Sequence, residues 1–238
     1  MVQPLTAPRR VRASLRSAWS RLKPIPPGGV PCSVAVLASL LCAVLAGCGG
    51  TPVRDLYYGL DAHVSAQPAG APIPGTVRVS PLTARGFLAG SRIVFRTEDE
   101  PLRVQRYAEQ LWAEVPAAAV AGDLLAALRD ARVFDNAVGA ADPARASYLL
   151  SGELTRFEHR PTAAEPHVAV ELTLVLVDAV DRRLVVSKTY SETEPTPRGA
   201  DGLIRPETMI MAFDRATGRI IDAAIGDIRA LAARTGRG

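Results

Sequence analysis

The residues able to do covalent or metal chemistry are few in this chain and badly spaced for it. Cys32, Cys42 and Cys48 are its only cysteines, and His63, His159 and His167 its only histidines. All three cysteines fall within the first 48 residues. A disulfide framework would need them spread through the fold, and a structural zinc site would need paired ligands at short spacing. His159 and His167 flank the segment RPTAAEP, where a zinc ion would have to recruit Glu158 or Glu165. No HExxH or comparable spacing supports that ligand set, and a solvated hairpin tip is the simpler assignment. His63 falls in a loop. The chain has no GxSxG, Walker-type or GxGxxG motif. Glu153 and Glu171, which a glycosidase-like pair could use, read more simply as the polar faces of strands. The sequence therefore assigns no catalytic residue, metal ligand or cofactor.

Cys48 does have a chemistry written into its surroundings. Before it lie Arg9, Arg10, Arg12, Arg16, Arg21 and Lys23 with no acidic residue, and the first acid is Asp55. From Ser33 to Gly47 come fifteen residues without a charge, short of the roughly 20 that a bilayer-spanning helix needs. A basic stretch, a short apolar run and a close on the small residues Ala46 and Gly47 make the three zones of a signal peptide. Arg9-Arg10 lacks the apolar continuation of a twin-arginine signal, so it belongs to the basic zone.

Leu45-Ala46-Gly47-Cys48 resembles the lipobox of bacterial lipoproteins at all four positions. The resemblance implies cleavage between Gly47 and Cys48, diacylglycerol on the Cys48 thiol and an acyl group on the new amino terminus. Each buried methylene contributes about 0.8 kcal/mol, so two or more chains anchor stably where one holds only marginally. Such lipoproteins with aspartate after the cysteine stay at the inner membrane. Gly49 stands there, which implies the outer membrane, with the domain facing the periplasm.

Cleavage also changes the charge. The full chain carries +4, but six of its 28 basic residues precede Cys48; without them 22 basic residues face 24 acidic ones, a net −2. The apparent basicity belongs to the signal peptide, and a nucleic-acid function loses its electrostatic support.

Residues 1–47 are thus read as signal peptide, 48–55 as lipidated cysteine and tether, 56–233 as one domain and 234–238 as a tail. The mature length suits one well-packed domain. Ser65 to Gly75, rich in Pro, Gly and Ala, reads as a loop. Short β-branched runs predict strands at Thr76–Ser80, Ser91–Arg96 and Val133–Val138. Val120, Leu124, Leu128 and Ala131 recur at helical spacing behind Pro116 and predict a helix. Tyr148–His159 and His167–Ala179 predict a hairpin, with Val168, Val170, Leu172, Leu174 and Leu176 on one face, and Leu184–Tyr190 a third strand. A last helix is predicted from Pro206 to about Ala233, its stripe formed by Met209, Phe213, Ala216, Ile220, Ala224, Ile228 and Leu231. Single-striped helices need a sheet to cover, so the fold class is α+β, a mostly antiparallel sheet with two main helices on one face.

The order of LYYGLDA, GFLAGSRIVFR, RYAEQLWAEVP, LLAALRDARVFDNAV and YLLSGELTRFEH, ahead of an amphipathic last helix, resembles the ABC-type transport auxiliary lipoproteins, the group that includes the paraquat-inducible protein C lipoprotein. The similarity covers nearly all of residues 55–232. It implies a non-enzymatic outer-membrane lipoprotein working beside a mammalian-cell-entry (MCE) domain protein and an ABC transporter permease and ATPase, which together move lipid between the membranes. Tyr57 and Tyr58 read as a first strand on the core or as a contact for partner or lipid. Trp112 reads as a hydrophobic anchor at the helix entrance, with lipid contact as the alternative. Two other functions stay open, a lipid-tethered periplasmic hydrolase and an envelope-assembly lipoprotein of lipopolysaccharide-assembly type.

Overall fold

The structure, a computed structural model, describes residues 54–235. Cys48 and its lipobox lie outside the described residues. Nine strands form one mixed sheet: β1 (Leu56–Tyr58), β2 (Ile73–Val79), β3 (Thr83–Ala84), β4 (Arg92–Phe95), β5 (Gln105–Trp112), β6 (Phe134–Val138), β7 (Tyr148–Arg160), β8 (His167–Asp178) and β9 (Arg183–Pro195). Helix α1 spans Pro116–Asp130 and α2 spans Pro206–Thr235.

The organising strand is β7. One flank carries a long antiparallel meander, β7 with β8 from Tyr148↔Asp178 to Arg160↔His167, and β8 with β9. The other flank is shared by three shorter strands, all parallel to β7. β2 pairs at Tyr148 to Leu150, β3 at Glu153 and Leu154, and β4 at Glu158 and His159. β6 lies parallel outside β2; β5 lies antiparallel outside β4, and β1 parallel outside β5. The long ladders are thus antiparallel, as expected, and most of the short ones are parallel.

Strand β8 shows why these residues form a sheet with one covered face: Val168, Val170, Leu172, Leu174 and Leu176 are all buried at period two. β7 does the same with one interruption. Leu150 and Leu154 are buried at even positions, yet Phe157 joins them from an odd one. The register shift between Leu154 and Arg156 accounts for this, because one extra residue in a strand moves everything after it to the opposite face. Gly152 sits where a Cβ would come within 2.3 Å of the Thr173 carbonyl oxygen.

Both helices pack on the sheet, α1 against β2, β6 and β7, and α2 against β8 and β9. Pro116 opens α1, and Val120, Leu124, Leu128 and Ala131 are buried as the spacing predicts. Its end is a Schellman motif without glycine: Arg132 takes φ 49°, and the N–H groups of Arg132 and Val133 donate to the carbonyls of Arg129 and Leu128. α2 buries its predicted stripe from Met209 to Ile228, with Leu231 half-buried, together with Ala212, Ile221 and Ile225, so its covered side is wider than one seam. The widening has a cause. The segment that follows β1 lies across α2 as well, and backbone N–H groups of Asp61, Ser65 and Ala66 donate to Asp214 and Asp222 on that helix.

Strand β5 was not legible in the sequence. RYAEQLW is rich in helix-forming Ala, Glu, Gln and Leu, and it reads as the approach to α1. Pairing with β4 and β1 overrides that preference.

Candidate functional site

The three histidines do not converge. His63 is exposed, and its backbone rests against Gly218 of α2. His167 opens β8, its Nδ1–H donating to the Glu165 carbonyl at 2.8 Å. His159 corrects the expectation of a solvated hairpin tip. It is 2% exposed, because the hairpin continues past it to Arg160 and the chain after β9 folds over it. Its Nδ1 lies 2.7 Å from the Tyr107 hydroxyl and its Nε2 3.0 Å from the hydroxyl of buried Thr196. Burial, with smaller contributions from His167 and Arg198, lowers His159 to about 4, while burial raises the Tyr107 phenol to about 12. The chain Tyr107–His159–Thr196 is therefore neutral near pH 7, a satisfied polar thread through a packed end of the sheet.

Glu158, next in the strand and facing the other way, is buried under cations. Its carboxylate meets Arg96 Nε at 2.7 Å, Arg160 Nη2 at 2.8 Å and Arg156 Nε at 4.0 Å. Among the described residues no group of three or more His, Cys, Asp or Glu side chains could hold a metal ion. Glu153 is paired with Arg85 at 2.7 Å, and Glu171 accepts a hydrogen bond from the Thr155 hydroxyl at 2.6 Å, as side chains on strand faces do.

The aromatic candidates divide by depth. Trp112 is 2% exposed; its ring centroid lies 5.4 Å from Phe157 and 5.3 Å from Phe213, which themselves stack at 4.4 Å. It anchors the core at the end of β5, and no surface of it is left for a lipid or a partner. Tyr58 is half-buried, and its carbonyl accepts the N–H of Ala113 at 2.7 Å. Tyr57 is 63% exposed beside exposed Leu56. Among the described residues β1 is the end strand of its flank, so these two apolar side chains stand on a sheet edge left open there, an arrangement that invites pairing with another chain.

Two features had no signal that the sequence analysis used. The first is the acidic seam under the crossing segment. Ala62 N–H donates to Asp123 Oδ2 at 3.1 Å and Asp61 N–H to Asp214 Oδ1 at 3.0 Å. Burial raises Asp123 to about 6, aided by neighbouring Asp61, Asp214 and Glu114 and opposed by the Ala62 N–H. Burial is also the main cause that raises Asp214. The second is a cavity of about 600 Å³ at the end of the domain where β7 begins, walled by Pro72, Ile73, Phe134, Tyr148, Leu176 and Ile228. One wall is the proline-rich stretch that reads in the sequence only as a loop.

A mixed sheet backed by two helices defines an α+β fold also present in two solved proteins. A Xanthomonas campestris protein of the DUF330 family superposes with a TM-score of 0.65 at 19% identity, covering 77% of this chain and 100% of that one. An uncharacterized protein superposes with a TM-score of 0.56 at 15% identity, covering 74% of this chain and 99% of that one. At these identities the likeness is one of fold. No curated protein matches the sequence. The chain belongs to the ABC-type transport auxiliary lipoprotein component family, whose model matches residues 58–222. It is therefore an auxiliary lipoprotein associated with ABC-type transport.

Proposed function

We propose that the chain is the non-enzymatic auxiliary component of an intermembrane lipid transport system built from an MCE-domain protein and an ABC transporter permease and ATPase. Acyl chains on Cys48 hold it at the outer membrane, and the domain works in the periplasm, where it docks the conduit that the MCE-domain protein provides. The observation that carries this reading is the family match from Tyr58 into α2, over nearly the whole described domain. The exposed edge at Leu56 and Tyr57 supports it as a docking surface placed directly after the tether. The burial of His159, with both ring nitrogens committed to the Tyr107 and Thr196 hydroxyls, supports a role without chemistry.

The test is genetic epistasis. Deleting this chain and deleting the MCE-domain protein should give the same sensitivity to detergent, and the double deletion should be no worse than either. Additive sensitivity would place the two in separate processes and end the proposal.

A further inference from the structure

The cavity beside the start of β7 combines two features that belong to different solvents. Its walls are apolar, and its volume of about 600 Å³ falls within the roughly 300–1,000 Å³ of small-ligand sites. Two arginines line it as well, Arg183 and Arg229. Arg229 is already committed: its Nη2 donates to the carbonyls of Gln67 at 2.9 Å and Ala131 at 2.6 Å. Arg183 is not. It is exposed at the start of β9, and its side chain has no hydrogen bond or ion pair among the described residues. Next to it Leu184 is 58% exposed, and Val180 in the preceding turn is 72% exposed.

An unpaired cation at the rim of an apolar cavity suits an amphiphile with one chain and an anionic head. The chain gains with each methylene taken out of water. The head gains a planar fork of donors that matches the oxygens of a phosphate or carboxylate. Position adds a further constraint. β1 joins the sheet through β5 and β4, whose registers bring it level with Arg156 and Phe157, and Trp112 packs on Phe157. The cavity is at Tyr148. At about 3.3 Å per residue along β7 the two lie roughly 30 Å apart, so the cavity occupies the end of the domain away from the strand that follows the tether.

We propose that this cavity binds a single-chain anionic phospholipid, its acyl chain between Phe134 and Ile228 and its phosphate on Arg183. The inference rests on the lipid-transport reading and names the class of molecule that the chain itself holds. The test uses the full chain in its own membrane, irradiated with lysophosphatidylglycerol carrying a photoactivatable group on the acyl chain. Label is expected on peptides containing Ile73, Phe134 or Ile228. Unlabelled lysophosphatidylglycerol should chase it, and palmitate should chase it less well. Arg183→Glu should cut labelling at least about tenfold, as loss of a charge-assisted hydrogen bond implies, and should lower the melting temperature only slightly, because the Arg183 side chain has no hydrogen bond or ion pair among the described residues and the new carboxylate merely stands across from Asp178. Label spread over the outer sheet face, label unchanged by Arg183→Glu, palmitate as the better competitor, or a cavity filled by the chain's own acyl groups would each overturn the proposal. If labelling fails while the chain still captures the MCE-domain protein, this inference falls and the transport reading stands.

Discussion

Gly218, in the middle of α2, passes so close under His63 that a Cβ on it would lie 2.1 Å from the His63 carbonyl oxygen. The helix needs a glycine there because a neighbouring strand of backbone occupies the side-chain position. That contact, with Asp214 and Asp222 on either side of it accepting N–H groups from Asp61, Ser65 and Ala66, clamps the segment after β1 onto α2. Gly218→Ala should improve helix propensity by about 1 kcal/mol and still destabilise the chain, because overpacking costs typically 1–3 kcal/mol and here the obstacle is backbone. Thermal melting checks the sign, and limited proteolysis should show earlier cleavage between Gly59 and Gln67. An unchanged or raised melting temperature would mean the crossing segment is not held there.

Stability should respond to pH through His159. Its folded-state value of about 4 lies below the ordinary histidine value of 6.5, so its contribution is fully present above about 6.5 and is lost as pH falls through about 4, by roughly 3 kcal/mol in all. Asp123 acts in the opposite sense. Raised from 3.8 to about 6, it favours the folded state below about 4, and that contribution is lost as pH rises through about 6. Denaturant melts of wild type, His159→Gln and Asp123→Asn between pH 4 and 7 separate the two. His159→Gln should lose stability at pH 7 and show a flatter acid limb, whereas Asp123→Asn should steepen it.

Much of the fold could be read from the sequence wherever burial is one-sided and local. Val168, Val170, Leu172, Leu174 and Leu176 recur at period two, and Val120 to Leu128 repeat at helical spacing, so β8 and α1 are where the pattern puts them. Legibility ends where a partner from elsewhere in the chain decides the outcome. β5 is a strand because β4 and β1 flank it, against the preference of its own residues. His159 is buried because Tyr107 and Thr196, 52 and 37 residues away, close over it, and neither spacing forms a local motif. The cavity rim brings Arg183 together with Ile228 and a proline-rich loop, a meeting of three distant segments for which the sequence has no period.

Helix α2 should fail to tolerate charge on its covered side. Ile220 is buried in the main core, so Ile220→Asp adds an unpaired buried carboxylate to the lost packing and should cost several kcal/mol. That is a large part of the roughly 5–15 kcal/mol that holds a typical domain. The full chain carrying this change should be degraded in cells and show no cooperative melt. A wild-type melt combined with loss of the MCE-domain partner would instead make the stripe an interface.

Cys48→Ser tests the anchor. The variant should accumulate as a precursor of higher mass that still carries residues 1–47 and fractionates with the inner membrane. Mass spectrometry and membrane fractionation read both properties. Normal processing and wild-type fractionation would remove the lipobox assignment.

The most direct test of the account as a whole is capture of the full chain from chemically crosslinked cell envelopes, followed by quantitation of the MCE-domain protein. The account expects that protein to elute with wild type, to drop severalfold with Tyr57→Ala at the open edge of β1, and to be absent with Cys48→Ser, which never reaches the outer membrane. Recovery of the chain from intact outer membrane with no MCE-domain protein attached, or equal capture by wild type and both variants, would contradict it.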